Sequence, residues 1–341
     1  EQAEARLARF LAFVIVIGFM MYPARKSNHK VNHIPWYDFV LMAIGYLAVR
    51  SGLLSKTDNQ ALGRFVLYFC IPALLFRAFA QRRLGEVFDA SYLVAYGAGS
   101  MAAFVTVLLL ARLWRGNVKA MSGMQAMGAC SSNSAFIGYP IAVQVFGPVA
   151  GVALALCTLI ENLITIPWGL AYAEGGSGNT QGWQQALLQS LRGLARNPMI
   201  YGIGAGIVFS ALSIPLPSFA SSTLGLLATA SSPVALFVIG GSLVGLQLDG
   251  QRTDIAIVVA GKLLLHPLAV AGTLLLLPAT DPLLAKAAVL YAAVPMLSIY
   301  AVLAQRHGQQ GFCAATLLST TVASFATITA WLWWLDAAPL R

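Results

Sequence analysis

Residues 131–140 read SSNSAFIGYP and lie in the middle of an apolar segment of membrane-spanning length. The run contains three serines, an asparagine, a glycine and a proline. Pro140 cannot donate a backbone hydrogen bond and clashes with the preceding turn, so the sequence predicts a helix break or kink there. An opened backbone at mid-membrane depth is tolerated where protein covers it or where it lines a cavity. The stretch therefore indicates a transporter's substrate site, with close helix packing through small residues as the alternative.

Composition assigns the chain to the polytopic membrane proteins. Its 341 residues are 58% hydrophobic and 10% charged, whereas a soluble domain carries about 25% charged residues. The net charge is +9, but the basic residues fall singly between apolar runs, as in membrane-flanking loops, and nucleic-acid binding is rejected. The sequence contains no Ser/His/Asp order, H-E-x-x-H pattern or P-loop, so we expect neither an enzyme nor direct ATP drive.

Hydrophobic runs predict one extra N-terminal helix followed by ten spans. The extra helix covers residues 5–22. The ten spans cover 36–50, 59–80, 91–113, 120–146, 149–172, 198–212, 224–245, 254–277, 282–304 and 311–334. We therefore divide the chain into an extra helix and loop at 1–40, a first five-helix repeat at 41–173, a connector at 174–196 and a second repeat at 197–335.

The two halves resemble each other. The second span of each half carries a proline among small residues, Pro72 in one and Pro233 in the other. The fourth span of each half is also interrupted, by residues 133–140 and by 295–298. Because five helices is an odd number, the second half must enter the membrane from the opposite side. The predicted fold is an all-α membrane protein with an inverted five-plus-five repeat, which is typical of secondary transporters.

Loop charges predict the orientation. With the extra helix and its loop left out, the side that holds the connector carries nine basic residues, and the other side carries four: Arg50, Lys56, Arg112, Arg115, Lys119, Arg192, Arg196, Arg252 and Arg306 against Arg77, Arg82, Arg83 and Arg341. Cytoplasmic loops of membrane proteins carry the excess of Lys and Arg. We therefore expect a multi-pass protein of the inner membrane with the connector in the cytoplasm.

An ordered set of motifs between residues 41 and 335 resembles the auxin efflux carrier family, which includes bacterial malonate and malate transporters and plant auxin exporters. The motifs are Gly45-Tyr46 with Gly52-Leu53-Leu54, the run 69–75, the run 133–140, Asn197-Pro198, Lys262 with His266-Pro267, and Pro295 followed by the run 301–304. The run Pro295-Met296-Leu297-Ser298-Ile299-Tyr300 is most similar to the malonate-carrier branch.

This resemblance implies ten helices in two inverted repeats, with the fourth and ninth helices crossing at their proline breaks. It also implies that an organic anion binds at the crossing, and a small dicarboxylate is the first expectation. Many relatives carry a second asparagine in the ninth helix, where this chain has Ser298 and Ile299.

The first forty residues do not fit that family. Residues 22–26 and 34–38 resemble the start of fused membrane subunits of TRAP transporters. Our hypothesis is that the chain is a fusion joined near residues 38–43, and we exclude the extra helix from the mechanism.

The chemistry of anion binding selects the site residues. A carboxylate that loses its water needs fixed dipoles or opposite charge in return, and half-helix N-termini offer free N–H groups. Asn133 adds an amide donor, with an interhelical hydrogen bond as its alternative role. The predicted substrate site consists of Asn133, Ser132, Ser134, Gly138, Pro140, Pro295 and Ser298.

Ionisable residues inside spans are candidates for ion coupling. Glu161 could carry a coupled proton if burial favours its neutral form, or it could pair with a cation such as Lys262. Lys262 could balance substrate charge, but its place early in its span favours snorkelling to the cytoplasmic surface. His266 could titrate during transport or hydrogen-bond a carbonyl freed by Pro267.

The leading functional hypothesis is a secondary carrier of small organic anions that works by alternating access. An uncoupled facilitator or channel is the nearest alternative, and a membrane sensor or receptor is a further one. We expect no metal and no cofactor beyond coupling to H⁺ or Na⁺. The expected partners are an organic anion and the lipid bilayer, with a homodimer as an open alternative.

Overall fold

The computed structural model describes residues 36–80, 89–174, 188, 192, 196–245, 252–278 and 281–337. Within these residues the chain is helical and contains no β-strand. The predicted N-terminal extra helix and nearly all of the connector lie outside the described residues.

The helices are numbered here in chain order. They are α1 Trp36–Arg50, α2 Lys56–Ala80, α3 Ala90–Trp114, α4 Lys119–Cys130, α5 (the π turn Ser134–Gly138 continued by Tyr139–Phe146), α6 Val149–Glu174, α7 Pro198–Ala211, α8 Ser218–Ser242, α9 Arg252–Leu276, α10 Pro282–Ala293, α11 (Tyr300–Leu303 continued by the 3₁₀ turn Ala304–His307) and α12 Gln310–Ala337. Six of these described helices, α2, α3, α6, α8, α9 and α12, are long and apolar enough to cross a membrane. The chain is therefore a multi-pass membrane protein.

Each predicted span coincides with a described helix or with a pair of helices. Most predicted boundaries agree within a few residues, and the largest deviation is the start of α8 at Ser218 rather than at residue 224. The fourth predicted span is divided into α4 and α5, and the ninth into α10 and α11. The prediction of two interrupted spans is therefore confirmed.

The break in the fourth span begins before Pro140, the residue at which the sequence predicted a break or a kink. The chain leaves the helix at Ser131–Asn133, and Pro140 lies inside α5. A π turn directly precedes Pro140, with the Tyr139 N–H donating to the Ser134 carbonyl. The wider turn accommodates a residue that cannot donate and whose ring would clash with the preceding turn.

The same arrangement recurs at three other prolines. A π turn precedes Pro72 in α2, Pro167 in α6 and Pro267 in α9, and in each case the residue before the proline donates to a carbonyl five residues back. Pro233 lies inside α8, which continues as an α-helix. At these five positions proline therefore lies within a helix that continues past it.

The helices form two bundles. In the first bundle, α1 packs on α8, and α2 packs on α7 and α8. Gly45 and Gly240 permit the close approach of α1 and α8, because a Cβ at either would collide with the backbone of the other helix. In the second bundle, α3 packs on α4 and α9, α6 packs on α4, α5 and α10, and α12 packs on α9, α10 and α11. The bundles meet where α5 contacts α8 and α2 contacts α6.

Candidate functional site

The two helix breaks contact each other directly. The backbone N–H of Asn133 donates to the carbonyl of Pro295 over 2.7 Å. The side-chain amide of Asn133 donates through Nδ2 to Oγ of Ser298, also over 2.7 Å. Residues that lie more than 160 positions apart in sequence are thus joined by two hydrogen bonds, one from the backbone and one from a side chain.

The break in the fourth span leaves the N-terminus of α5 without a side-chain cap. Ser131 is extended, with φ −100° and ψ 136°, and Asn133 precedes the first helical residue with φ −82° and ψ 59°. The Asn133 side chain forms no cap hydrogen bond with α5, because it points to Ser298 instead. The first N–H groups of a helix have no partner within it, so this end of α5 presents free donors and a positive dipole end.

Glu161 of α6 lies behind the break and is buried, with 6% of its surface exposed. Its Oε1 accepts three hydrogen bonds of 3.1 Å, from the Ser132 N–H, the Ser134 hydroxyl and the Tyr96 hydroxyl. A buried carboxylate requires such donors, since it has lost its water. Glu161 is thus bound to the same short segment that carries Asn133.

Lys262 of α9 reaches the break from the other side. Its ammonium lies 2.6 Å from Ser132 Oγ, 2.8 Å from the Ala292 carbonyl oxygen and 2.9 Å from His266 Nδ1. These contacts engage all three of its donors. The expectation that Lys262 snorkels to the cytoplasmic surface is therefore wrong: the side chain is fully buried and contacts polar atoms of three segments.

His266 is held by two side chains. Its Nε2 lies 2.8 Å from Ser100 Oγ, and its Nδ1 faces the Lys262 ammonium. Since an ammonium only donates, Nδ1 must accept, which assigns the proton of a neutral ring to Nε2 and makes Ser100 the acceptor there.

Glu161 and Lys262 do not form a direct ion pair. Ser132 lies between them, with its N–H on the Glu161 carboxylate and its hydroxyl on the Lys262 ammonium. We call Tyr96, Ser132, Ser134, Glu161, Lys262 and His266 the break cluster.

The predicted substrate-site residues are distributed as follows. Ser132, Asn133 and Ser134 are buried in the break, whereas Ser298 is exposed. Pro295 takes part through its carbonyl. Gly138 lies where a Cβ would come within 2.7 Å of the Tyr291 ring, so it permits close packing of α5 on α10. Pro140 lies beyond the break in α5.

Sequence reasoning missed Tyr96 and Ser100 of α3. Both are fully buried, and they contact Glu161 and His266, respectively. They are four residues apart and therefore share one helix face. The sequence signal that could have identified them is a pair of hydroxyl groups on one face of an apolar span.

A second polar cluster lies at the end of α3 and the start of α9. Asp254 is fully buried, and Arg115 binds its carboxylate over 3.1 and 3.3 Å. Asn117 and Gln125 donate to the same carboxylate over 2.7 and 3.1 Å. Hydrogen bonding to Asp254 and its negative charge raise the pKa of the Arg115 guanidinium. We call these four residues the Asp254 cluster. Sequence reasoning missed it, although an acidic residue within a predicted span is a signal for such a buried polar site.

Comparisons with known proteins indicate a membrane transporter. A family model described as "Membrane transport protein" matches residues 39–333. A "Putative malonate transporter" of Rhizobium meliloti (strain 1021) is 29% identical over 306 residues, which cover 89% of this chain and 95% of the relative. An "Uncharacterized transporter" of Methanothermobacter thermautotrophicus is 24% identical over 297 residues, covering 86% and 94%. The "Lysosomal cholesterol signaling protein" of Mus musculus is 27% identical over 328 residues, covering 89% of this chain but 38% of the relative.

These relatives are named for transport or signalling, and the findings point to a transporter and not to an enzyme. The family match extends over nearly all of the described helices. The chain therefore belongs to the membrane transport protein family.

Proposed function

We propose that the chain is a secondary active transporter of small organic anions, with malonate-like and malate-like dicarboxylates as substrates. The name of the Rhizobium relative supports the substrate class. Three polar groups at the break support binding of a carboxylate there: the N-terminus of α5, the Asn133 amide and the Ser298 hydroxyl. A helix N-terminus with free N–H groups favours an anion, because the donors and the dipole both point to it.

The contact between the two breaks is the observation that carries this proposal. Asn133 joins them through its backbone and its side chain. An anion bound at the end of α5 would therefore lie next to both halves of the chain. In our proposal, Asn133, Ser132, Ser134 and Ser298 supply donors, and Gly138, Pro140 and Pro295 shape the backbone around them.

Alternating access is part of the same proposal. We infer that the two halves are inverted repeats, that α4–α5 cross α10–α11 at the breaks, and that the second bundle moves against the first. The division of the helices into two bundles supports such a movement. We further propose an inner-membrane location with the connector in the cytoplasm, on the basis of the loop charges. The family resemblance makes a homodimer an additional proposal.

Thermal stabilisation by a panel of mono- and dicarboxylates tests the function, since a ligand that binds only the folded protein raises its apparent stability. We expect malonate to raise the melting temperature of the purified protein and Asn133→Ala to abolish this rise.

Asn162→Ala is the matched control. This asparagine also lies in a membrane-spanning helix, but its amide donates to the Thr158 carbonyl within α6, so the rise should persist. A full response to malonate in Asn133→Ala would remove Asn133 from the site.

The nearest rival is an uncoupled facilitator or channel. Glu161, Lys262 and His266 are our candidates for coupling to a proton or sodium gradient. Malonate flux into proteoliposomes, measured with and without each gradient, separates the two functions: a carrier concentrates the anion, and a facilitator does not. A sensor or receptor stays a third alternative and would show binding without flux.

A further inference from the structure

Glu161 binds the donors that a substrate anion would need. Of its three hydrogen bonds, two come from the break, namely from the Ser132 N–H and from the hydroxyl of Ser134, the first residue of α5. These are the groups next to the free N–H groups at the start of α5. A carboxylate of the protein itself therefore occupies part of the place that we propose for a carboxylate of the substrate.

We propose that Glu161 is an internal competitor of the substrate: when ionised it holds these donors, and when protonated it releases them, so that an anion and a proton bind together. This inference rests on the proposed function and deepens it, because it names the proton as the coupled ion.

The number of donors makes the two carboxylates compete. Ser132 has one N–H and Ser134 has one O–H, and each can be given fully to only one acceptor. Two ionised carboxylates at neighbouring positions also repel each other, so that one of them favours the protonated form. Protonation of Glu161 removes both obstacles at once.

The positive charge in the break cluster is insufficient for both anions. The Lys262 ammonium is engaged by Ser132, His266 and the Ala292 carbonyl, and it reaches Glu161 only through Ser132. With Glu161 ionised, the empty site contains one positive and one negative charge. Adding a dianion to that site would leave two uncompensated negative charges, whereas adding it with a proton leaves one.

The other titratable groups around Glu161 do not replace it. They are Tyr92 and Tyr96 of α3, Cys130 of α4, Cys157 of α6, Lys262 and His266 of α9, and Tyr291 of α10. Tyrosine and cysteine side chains are neutral at neutral pH. His266 accepts from Lys262 at Nδ1, a position that a second proton could take only against the neighbouring ammonium. Glu161 is therefore the acid of this cluster that can gain a proton.

The sign of the pH dependence follows. If the anion-bound state holds one more proton than the free state, lower pH favours binding and higher pH opposes it. Over the range in which free Glu161 is ionised, the affinity for malonate should change by about tenfold per pH unit. If the Glu161 carboxylate only supported the fold, malonate binding would not be accompanied by proton uptake.

Calorimetry of the full-length purified protein tests the proposal. Malonate is titrated at neutral pH in two buffers of different ionisation enthalpy, and the difference in heat gives the number of protons taken up. We expect the wild-type protein to take up about one proton per malonate. We expect Glu161→Gln to bind malonate with no proton uptake and with an affinity that does not change with pH.

Glu174→Gln is the matched control, since Glu174 lies at the far end of the same helix, and it should retain the wild-type proton count. Binding by the wild-type protein without proton uptake would overturn this inference and leave the proposed function intact. Proton uptake that persists in Glu161→Gln would also overturn it, because the proton would then belong to another group or to the substrate. If the wild-type protein binds no anion at all, that result would instead contradict the proposed function. A wild-type proton count of zero overturns the inference even if Glu161→Gln does not fold.

Discussion

The break cluster and the Asp254 cluster both bring a buried acid and a base together, but they join them differently. Asp254 contacts Arg115 directly, and Asn117 and Gln125 donate to the same carboxylate. Glu161 and Lys262 are instead separated by Ser132, which binds one with its backbone and the other with its side chain. A direct pair holds the ionised form of both partners, whereas a bridged pair leaves the acid freer to exchange a proton or its donors.

The clusters also differ in what they connect. The Asp254 cluster joins the end of α3 to α4 and to the start of α9, all within the second bundle. The break cluster forms hydrogen bonds with the non-helical segment from which Asn133 contacts the other break. We therefore regard the first as a structural support and the second as the part of the molecule that responds to a ligand.

The largest effect should come from Lys262→Met. This change removes three hydrogen bonds and leaves Glu161 without a positive charge nearby, and removal of one member of a buried pair costs about 3–5 kcal/mol. Because the uncompensated carboxylate opposes folding only when ionised, the loss of stability should be greater at high pH than at low pH. Thermal unfolding in detergent across a pH series measures both effects. Lys262→Arg, which keeps the charge, should lose less stability than Lys262→Met. An equal loss of stability in the two variants would argue that the charge is unimportant.

The sequence predicted both interruptions, but it extended the first to Pro140, whereas the chain leaves the helix only at Ser131–Asn133. Small polar residues in an apolar span mark a place where a continuous helix is disfavoured, and that local signal is sufficient for residues 131–134. The position of the break depends on partners far away in sequence, because the freed Ser132 and Asn133 N–H groups need the Glu161 carboxylate and the Pro295 carbonyl. Pro140 carries the strongest local signal, but a π turn satisfies it without a break.

Lys262 illustrates the same limit. Its position early in a span suggests snorkelling when the helix is considered alone. In the folded protein its three acceptors come from the break, from His266 one turn later and from α10. Span lengths were predictable because they depend on hydrophobicity alone, whereas the environment of a buried charge depends on which helices are neighbours.

An intermediate effect is expected for Asp254→Asn. The substitution keeps the shape and removes the charge from a carboxylate that accepts four hydrogen bonds from three side chains. The Arg115 side chain is 30% exposed, so solvent screens the pair, and we expect a loss of about 1–2 kcal/mol.

A double-mutant cycle with Arg115→Gln should give a coupling energy of about 1 kcal/mol in thermal unfolding. Anion binding and its proton count should stay at wild-type values, since the hydrogen bonds to Asp254 come from Arg115, Asn117 and Gln125 and not from the break cluster. A changed proton count in Asp254→Asn would contradict our separation of the two clusters.

The smallest effect on stability is expected for Ser298→Ala. This variant tests whether the second break contributes to anion binding in addition to the first. Ser298 is exposed, and if the proposed substrate site is open to water, a water molecule can replace the hydrogen bond that its hydroxyl accepts from Asn133, so that the stability should change by less than about 0.5 kcal/mol. The affinity for malonate should nevertheless fall severalfold, because the amide of Asn133 loses the partner that orients it toward the second break. Thermal unfolding and calorimetric titration of the same sample measure the two quantities. Equal malonate affinity in wild type and Ser298→Ala would mean that the buried break around Asn133 binds the anion alone, and that the second half of the chain contributes only the carbonyl of Pro295.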